Sequence, residues 1–241
     1  MGILISDPVT ASLDLYQCST NSIPRFYLLD TPAFDNSNRS ETEVLEEIAA
    51  WLGATYSRDV KLSGILYMHP ITENRMSAIF HRNMLLWKKL CGEPSMGGVL
   101  LVTTFWNTER KEEYLRREQE LASDHYWGKP IALGSKMFRQ DEGRVSAEKI
   151  ISYLVLDRKQ KLVLDIQKEM IDDKKGIKET TAGMSIYSEL SKEIDRTEEE
   201  LGTLREELNY AISQKNTDWQ QATQKAIAEA ERRIRELRGR I

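Results

Sequence analysis

Cysteine is nearly absent. Cys18 and Cys91 are the only two in 241 residues, and their spacing suits neither a metal site nor a disulfide framework. That excludes a disulfide-stapled secreted scaffold and favours a reducing, cytoplasmic setting. Histidine is equally scarce: His69, His81 and His125 share no ligand spacing, so packing or surface roles are expected of each. No apolar run approaches the ~18 residues needed to cross a bilayer. Positive charge is not in excess either. With 34 Lys and Arg against 38 Asp and Glu the net charge is −4, which argues against a nucleic-acid-binding surface. The first residues, Met1-Gly2-Ile3-Leu4-Ile5-Ser6, lack the basic region of a secretory signal. Gly2 followed by Ser6 fits the N-myristoylation pattern, yet no polybasic patch supplies the second anchor that stable membrane attachment requires. No Ser/His/Asp order and no carboxylate pairing marks a hydrolase.

What the chain does have is alternation. Over residues 1–145 strand and helix signals follow one another, predicting an α/β domain with a mostly parallel sheet and helices on both faces. Leu13–Cys18 and Arg25–Asp30 read as strands. Ser40 opens a helix, and Glu43 three residues later completes a capping box. Val44, Leu45, Ile48, Trp51 and Leu52 form the apolar stripe of that helix. Lys61–His69 reads as a buried strand ended by Pro70, Met76–Cys91 as a helix capped by Gly92, and Gly98–Thr104 as the central strand. A charged helix is expected over Glu109–Ser123, then a last short strand at Pro130–Leu133 before Gly134-Ser135. Trp51, Trp87 and Trp106 fall on apolar faces and should be core, whereas Trp127 adjoins a loop.

Beyond Ser146 the texture becomes helical. Residues 146–183 read as a connector in which Ile150, Ile151, Leu154, Val155, Leu162, Ile166 and Met170 keep an amphipathic period, with Gly176 and Gly183 marking a break. Residues 184–241 read as a coiled coil. Ile194, Leu201 and Leu208 recur every seven residues, as do Ile227, Ile234 and Ile241, with Glu, Lys and Arg at the outer positions. The two blocks are out of phase, which predicts a stutter around Ser213–Ala226. Such a tail implies a homo-oligomer or a partner helix, with Trp219 as an interface anchor. A single amphipathic helix lying on the domain is the alternative.

The strongest chemical signal is an apolar strand running straight into Asp30-Thr31-Pro32-Ala33-Phe34-Asp35. An aspartate there puts a hard oxygen ligand at the carboxyl edge, where open α/β sheets form their ligand crevices. Taken alone, the same residues also read as a turn that ends a strand. Around them stand Tyr27-Leu28-Leu29 before the motif and Arg39-Ser40-Glu41-Thr42-Glu43 after it. Further on come Leu62-Ser63-Gly64-Ile65-Leu66-Tyr67, Asn74-Arg75-Met76-Ser77, Lys89-Leu90-Cys91-Gly92 and Val99-Leu100-Leu101-Val102-Thr103-Thr104-Phe105-Trp106. In this order, from about residue 10 to residue 241, the chain resembles a fungal family of septin-like and immunity-associated-like P-loop GTPases with a C-terminal coiled coil. The resemblance implies GTP and Mg²⁺ as ligands. It places Asp30 and Thr10 at the metal, Thr31, Ala33 and Asp35 in the switch that senses the γ-phosphate, Thr104 and Asn107 at the base, and Gly134 and Ser135 in the last base-contacting loop. Thr10 reads equally as a loop threonine, and Gly134-Ser135 equally as a plain turn.

The departures from that family are specific. A Gly-x-x-x-x-Gly-Lys-Ser/Thr loop, whose backbone N–H groups and lysine hold the β- and γ-phosphates, occurs nowhere; the only glycine before the switch motif is Gly2. Ala33 replaces the switch glycine and loses access to positive φ. Asn107 stands where an aspartate would accept two guanine protons, and its one acceptor and one donor cannot make that pair, which shifts preference away from guanine. The expectation is an incomplete P-loop GTPase-like α/β fold, degenerate or N-terminally truncated, followed by long C-terminal helices. Its function would be GTP binding without efficient hydrolysis, or else a non-catalytic pseudo-GTPase scaffold acting through the coiled coil. In a complete sheet the first strand lies between the Arg25–Asp30 and Lys61–His69 strands. Three outcomes exist: Ile3-Leu4-Ile5 substitutes for it, its neighbours close up, or the domain is unstable; the first or second is expected.

Overall fold

The computed structural model describes residues 2–7, 12–32, 34, 39–73, 78–158 and 160–241. Six strands form one sheet: β1 (Gly2–Asp7), β2 (Asp14–Cys18), β3 (Phe26–Pro32), β4 (Leu62–Pro70), β5 (Val99–Thr104) and β6 (Lys136–Arg139). Their order is β2-β3-β1-β4-β5-β6. β2 runs antiparallel to β3, and all other pairings are parallel. The near-continuous apolar runs of β4 and β5 suit strands buried on both faces.

The gap expected at the centre of the sheet is filled. β1 lies between β3 and β4, with Ile5 opposite Asp30 on one side and Leu66 on the other. The substitute strand is therefore the outcome adopted, and it gives the inner edges of β3 and β4 their backbone partners. It is a costly economy elsewhere. Only residues 8–13 join β1 to β2, too few for any helix to return across the sheet. Leu15 and Tyr16 of β2 are accordingly more than half exposed, although they point to opposite faces.

Eight α-helices are described besides short 3-10 and π-helical segments: α1 (Glu41–Tyr56), α2 (Ala78–Cys91), α3 (Lys111–Leu121), α4 (Gly128–Ala132), α5 (Arg144–Ser152), α6 (Asp165–Gln167), α7 (Thr181–Ser213) and α8 (Thr217–Arg238). α1 begins with the expected capping box: Ser40 Oγ accepts from the Glu43 N–H at 3.2 Å, and Glu43 Oε2 accepts from the Ser40 N–H at 2.8 Å. On one face of the sheet, Ile150, Ile151, Leu154 and Val155 pack on Phe26, Leu66, Leu100 and Val102. Gly64 permits this approach, since a Cβ there would overlap Leu154. The opposite face is aromatic. Tyr67 of β4 meets Phe80 of α2 at 6.1 Å and Trp127 at 5.5 Å between ring centroids.

Residues 128–132, expected to lead into a strand at Pro130–Leu133, are helical, and the last strand is Lys136–Arg139. The Ile131 N–H donates to Trp127 O and the Leu133 N–H to Lys129 O, both helical bonds, while Trp127 and Pro130 are buried. A four-residue apolar run has no periodicity by which strand and helix could be told apart.

The chain divides into two compact units, Met1–Ala182 and Gly183–Ile241. Within the first, Glu169 accepts from the N–H of Thr181 at 3.0 Å, from its Oγ1 at 2.8 Å and from Lys175 Nζ at 3.1 Å. Burial alone would raise this carboxyl, but the bonds from Thr181 and Lys175 outweigh it and hold it below the usual range. In the second unit α7 and α8 fold back on each other. The expected stutter is a reversal of the chain: residues 214–216 turn, Lys215 adopts φ 53°, and Asn216 Oδ1 caps α8 by accepting from the Trp219 N–H at 3.0 Å. Leu201 packs with Ala230 and Ile234, and Arg205–Glu231 and Arg233–Glu193 pair across the seam at 3.0 and 2.8 Å. The two out-of-phase repeats are the two sides of one antiparallel seam, so each block finds its partner helix within the chain.

Candidate functional site

The parallel register puts Asp7, Pro32, Pro70, Thr104 and Arg139 at one edge of the sheet, the carboxyl edge. Asp30 sits two residues inside that edge, flanked by Ile5 of β1 and by Asp14 of β2. Its Oδ1 is buried and accepts no hydrogen bond among the described residues, while the residue has other interactions. Thr31 is fully buried and, by strand alternation, faces the other side of the sheet from Asp30. Phe34 is also buried, its ring edge-on to Trp87 at 5.7 Å, so the motif's phenylalanine is a core residue. Thr10, Ala33 and Asp35 lie outside the described residues.

The loop after β5 is held tightly. Thr104 O accepts from the Ile71 N–H at 2.9 Å. Trp106 Nε1 lies 3.0 Å from Thr103 Oγ1, and its ring is enclosed by Tyr114 at 5.9 Å and the Arg139 guanidinium at 4.6 Å. Arg139 in turn donates through Nε to Glu118 Oε1 at 2.8 Å, and this pairing raises its already high pKa. Asn107 is engaged in local structure. Its Oδ1 accepts from the Glu109 N–H at 2.9 Å and caps the turn Thr108–Arg110. Between Thr104 and Asn107, Phe105 adopts φ 59° and is 71% exposed, a strained placement that sequence reasoning did not single out.

Gly134 and Ser135 are not part of this edge. Lys136 begins β6 opposite Leu100, so the two residues before it lie at the amino edge, across the sheet from Asp30. Ser135 is buried, donates to Val99 O and accepts from Trp127 Nε1 at 2.9 Å. Its hydroxyl is spent in the core. The loop that does follow the last strand is Gln140–Gly143, closed by a bond from Gln140 Nε2 to Gly143 O at 2.7 Å. Its signal, Gly143 ahead of a helical period, was masked by the misplaced strand. His69, also near this edge, is buried against Phe80 at 4.6 Å, and burial pushes its imidazole down to about 4.

The residues present fit Mg²⁺ and GTP unequally. Asp30 is a hard ligand in a suitable place, yet no group of three or more His, Cys, Asp or Glu among the described residues could hold a metal ion. For the phosphates the fit fails: residues 8–13 cannot contain a cradle of ~8 residues together with the helix whose N-terminus would face the anion.

The fold built on this six-stranded sheet is shared with solved structures of GTPase domains. The dimerization-deficient mutant of Toc33 from Arabidopsis thaliana matches with a TM-score of 0.52 at 11% identity, covering 68% of this chain and 87% of that one. Toc33 in complex with Mg²⁺ and GMPPNP gives a TM-score of 0.52 at 11% identity, covering 68% and 88%. Toc33 in complex with GDP and Mg²⁺ gives 0.52 at 12% identity with the same coverage. Identities this low establish the fold. No protein-family model matches the chain, and no curated protein matches it.

Proposed function

We propose that this chain is a GTPase-fold protein with a degenerate nucleotide site, which does not hydrolyse GTP efficiently and acts as a non-catalytic interaction module. The observation that carries this reading is the connector of residues 8–13 between β1 and β2. Phosphoryl transfer depends on positioned charge around the β- and γ-phosphates; among the described residues of the carboxyl edge the cation is Arg139, which is engaged by Glu118. Asn107, committed to a cap, adds a second deficit at the base. Phosphate release from GTP with Mg²⁺ tests this. The expected rate equals buffer alone; turnover that disappears in Asp30→Asn overturns the reading.

A second reading has one observation in its favour. Asp30 keeps the place beside β1 that an Mg²⁺ ligand needs, and the Toc33 structures of the same fold are complexes with GMPPNP or GDP and Mg²⁺. Residual, weak binding of Mg²⁺ and a guanine nucleotide would then survive without hydrolysis.

The interaction surface in the module is the hairpin, a coiled coil folded on itself. Its turn end exposes Tyr210, Ile212 and Trp219, the first and last in edge contact at 5.7 Å. Aromatic groups left in water at one end of a hairpin support assembly with a second copy or a partner helix. Sedimentation velocity of the full chain should show a concentration-dependent dimer that Trp219→Ser weakens. A monomer at every concentration would count against assembly.

A further inference from the structure

At the amino edge of the sheet, opposite the candidate nucleotide site, two cations converge without a carboxylate. Leaving the helical face packed on the sheet, the chain passes along the start of β4, where Leu162 N–H donates to Leu62 O at 2.8 Å. This brings Arg158 Nη1 to 3.2 Å from Ser63 O and 2.9 Å from Gln160 O, and Lys161 Nζ to 3.1 Å from Ser63 Oγ. Ser63 is 1% exposed, so a buried hydroxyl lies at the centre of the cluster. Gly98 makes the arrangement possible, because a Cβ at that position would stand 2.7 Å from the Arg158 Cζ and Nη1.

Neither Arg158 nor Lys161 forms an ion pair among the described residues, and burial lowers the pKa of both. The positive charge of Arg158 further lowers that of Lys161, which leaves two cations held together against their mutual repulsion. Donors remain in surplus. The Nε and Nη2 protons of Arg158, two protons of Lys161 and the Ser63 hydroxyl proton have no acceptor among the described residues. A planar guanidinium fork beside an ammonium and a hydroxyl matches a tetrahedral oxyanion.

We propose that Arg158, Lys161 and Ser63 form a binding site for a phosphate group, separate from the nucleotide edge. Ser63 stands near the start of β4 (Leu62–Pro70) and Pro70 at its end, which separates the two by about 20 Å. The phosphate could be carried by a small solute or by a lipid headgroup; the chemistry of recognition is the same.

The test follows backbone amides of the full chain by NMR while potassium phosphate replaces potassium chloride at constant ionic strength. Saturable shifts at Ser63, Gly98 and Leu162 are expected, weakened at least fivefold by Lys161→Gln, an exposed position whose change leaves the Arg158 bonds intact. Arg158→Gln should abolish them, with its amide spectrum confirming the fold. A parallel arm sediments the protein with phosphatidylcholine vesicles with and without phosphatidylinositol 4-phosphate. Vesicle binding lost in Lys161→Gln assigns the lipid source, and phosphate shifts without vesicle binding assign the solute. Shifts that do not saturate, or that Lys161→Gln leaves unchanged, together with no vesicle binding, overturn the proposal.

Discussion

At the scale of single residues, the carboxyl edge places an imidazole and a carboxylate in contrasting surroundings. His69 is buried beside Phe80 and is held neutral, with its pKa lowered from 6.5 to about 4. Between those two values the unfolded chain binds a proton that the folded chain refuses, so stability falls as pH drops from about 6.5 toward 4. The loss should approach about 3 kcal/mol at the lower limit. Urea unfolding across this range should show the slope, and His69→Gln should flatten it. Two glycines separate backbone strain from crowding. Gly143 has φ 54° with open space around it, whereas Gly92 has φ 76° and a Cβ there would overlap the Asp165 carboxylate. Gly143→Ala should cost about 1–3 kcal/mol from strain alone, and Gly92→Ala measurably more in the same urea assay. The position of Asp30 near the carboxyl end of a strand was legible in the apolar run Tyr27-Leu28-Leu29 before it, whereas that run alone left a strand-ending turn equally open. Ser135 and Asn107 were not legible. Each looks like a loop residue; a tertiary contact seals Ser135 under Trp127, and a local bond two residues on makes Asn107 the cap of a turn.

At the scale of elements, the signals that could be read were those with a local cause. Ser40 and Glu43 announce the start of α1 by their spacing, and both bonds form. Ser40→Ala should cost about 1 kcal/mol, detectable as a lowered melting temperature. β3, β4 and β5 were visible as apolar runs bounded by Pro or Gly. The role of β1 was only one of three possibilities, because the pairing of a short apolar segment depends on vacant edges far along the chain. The heptad blocks were equally plain, but periodicity alone does not say whether a partner helix comes from another chain or from a reversal of the same one. Lys215 with positive φ and the Asn216 cap settle it locally. Ile234→Ala opens a void beside Leu201 and Ala230 and should destabilise the hairpin by about 2–4 kcal/mol. Hydrogen exchange of the intact protein should show faster exchange in α7 and α8 while β4 and β5 stay protected.

At the scale of the whole molecule, the six-stranded sheet is continuous, and only residues 8–13 join β1 to β2. The chain uses β1 to restore the centre of the sheet and leaves Leu15 and Tyr16 of β2 exposed; in the function proposed above, the fold is kept and the phosphate-holding apparatus is not. The hairpin forms its own compact unit. The most direct test of that account is a titration of the full chain with a fluorescent GTP analogue in the presence of Mg²⁺. The account predicts no saturation below high micromolar nucleotide. Tight, saturable binding that Asp30→Asn removes would contradict it.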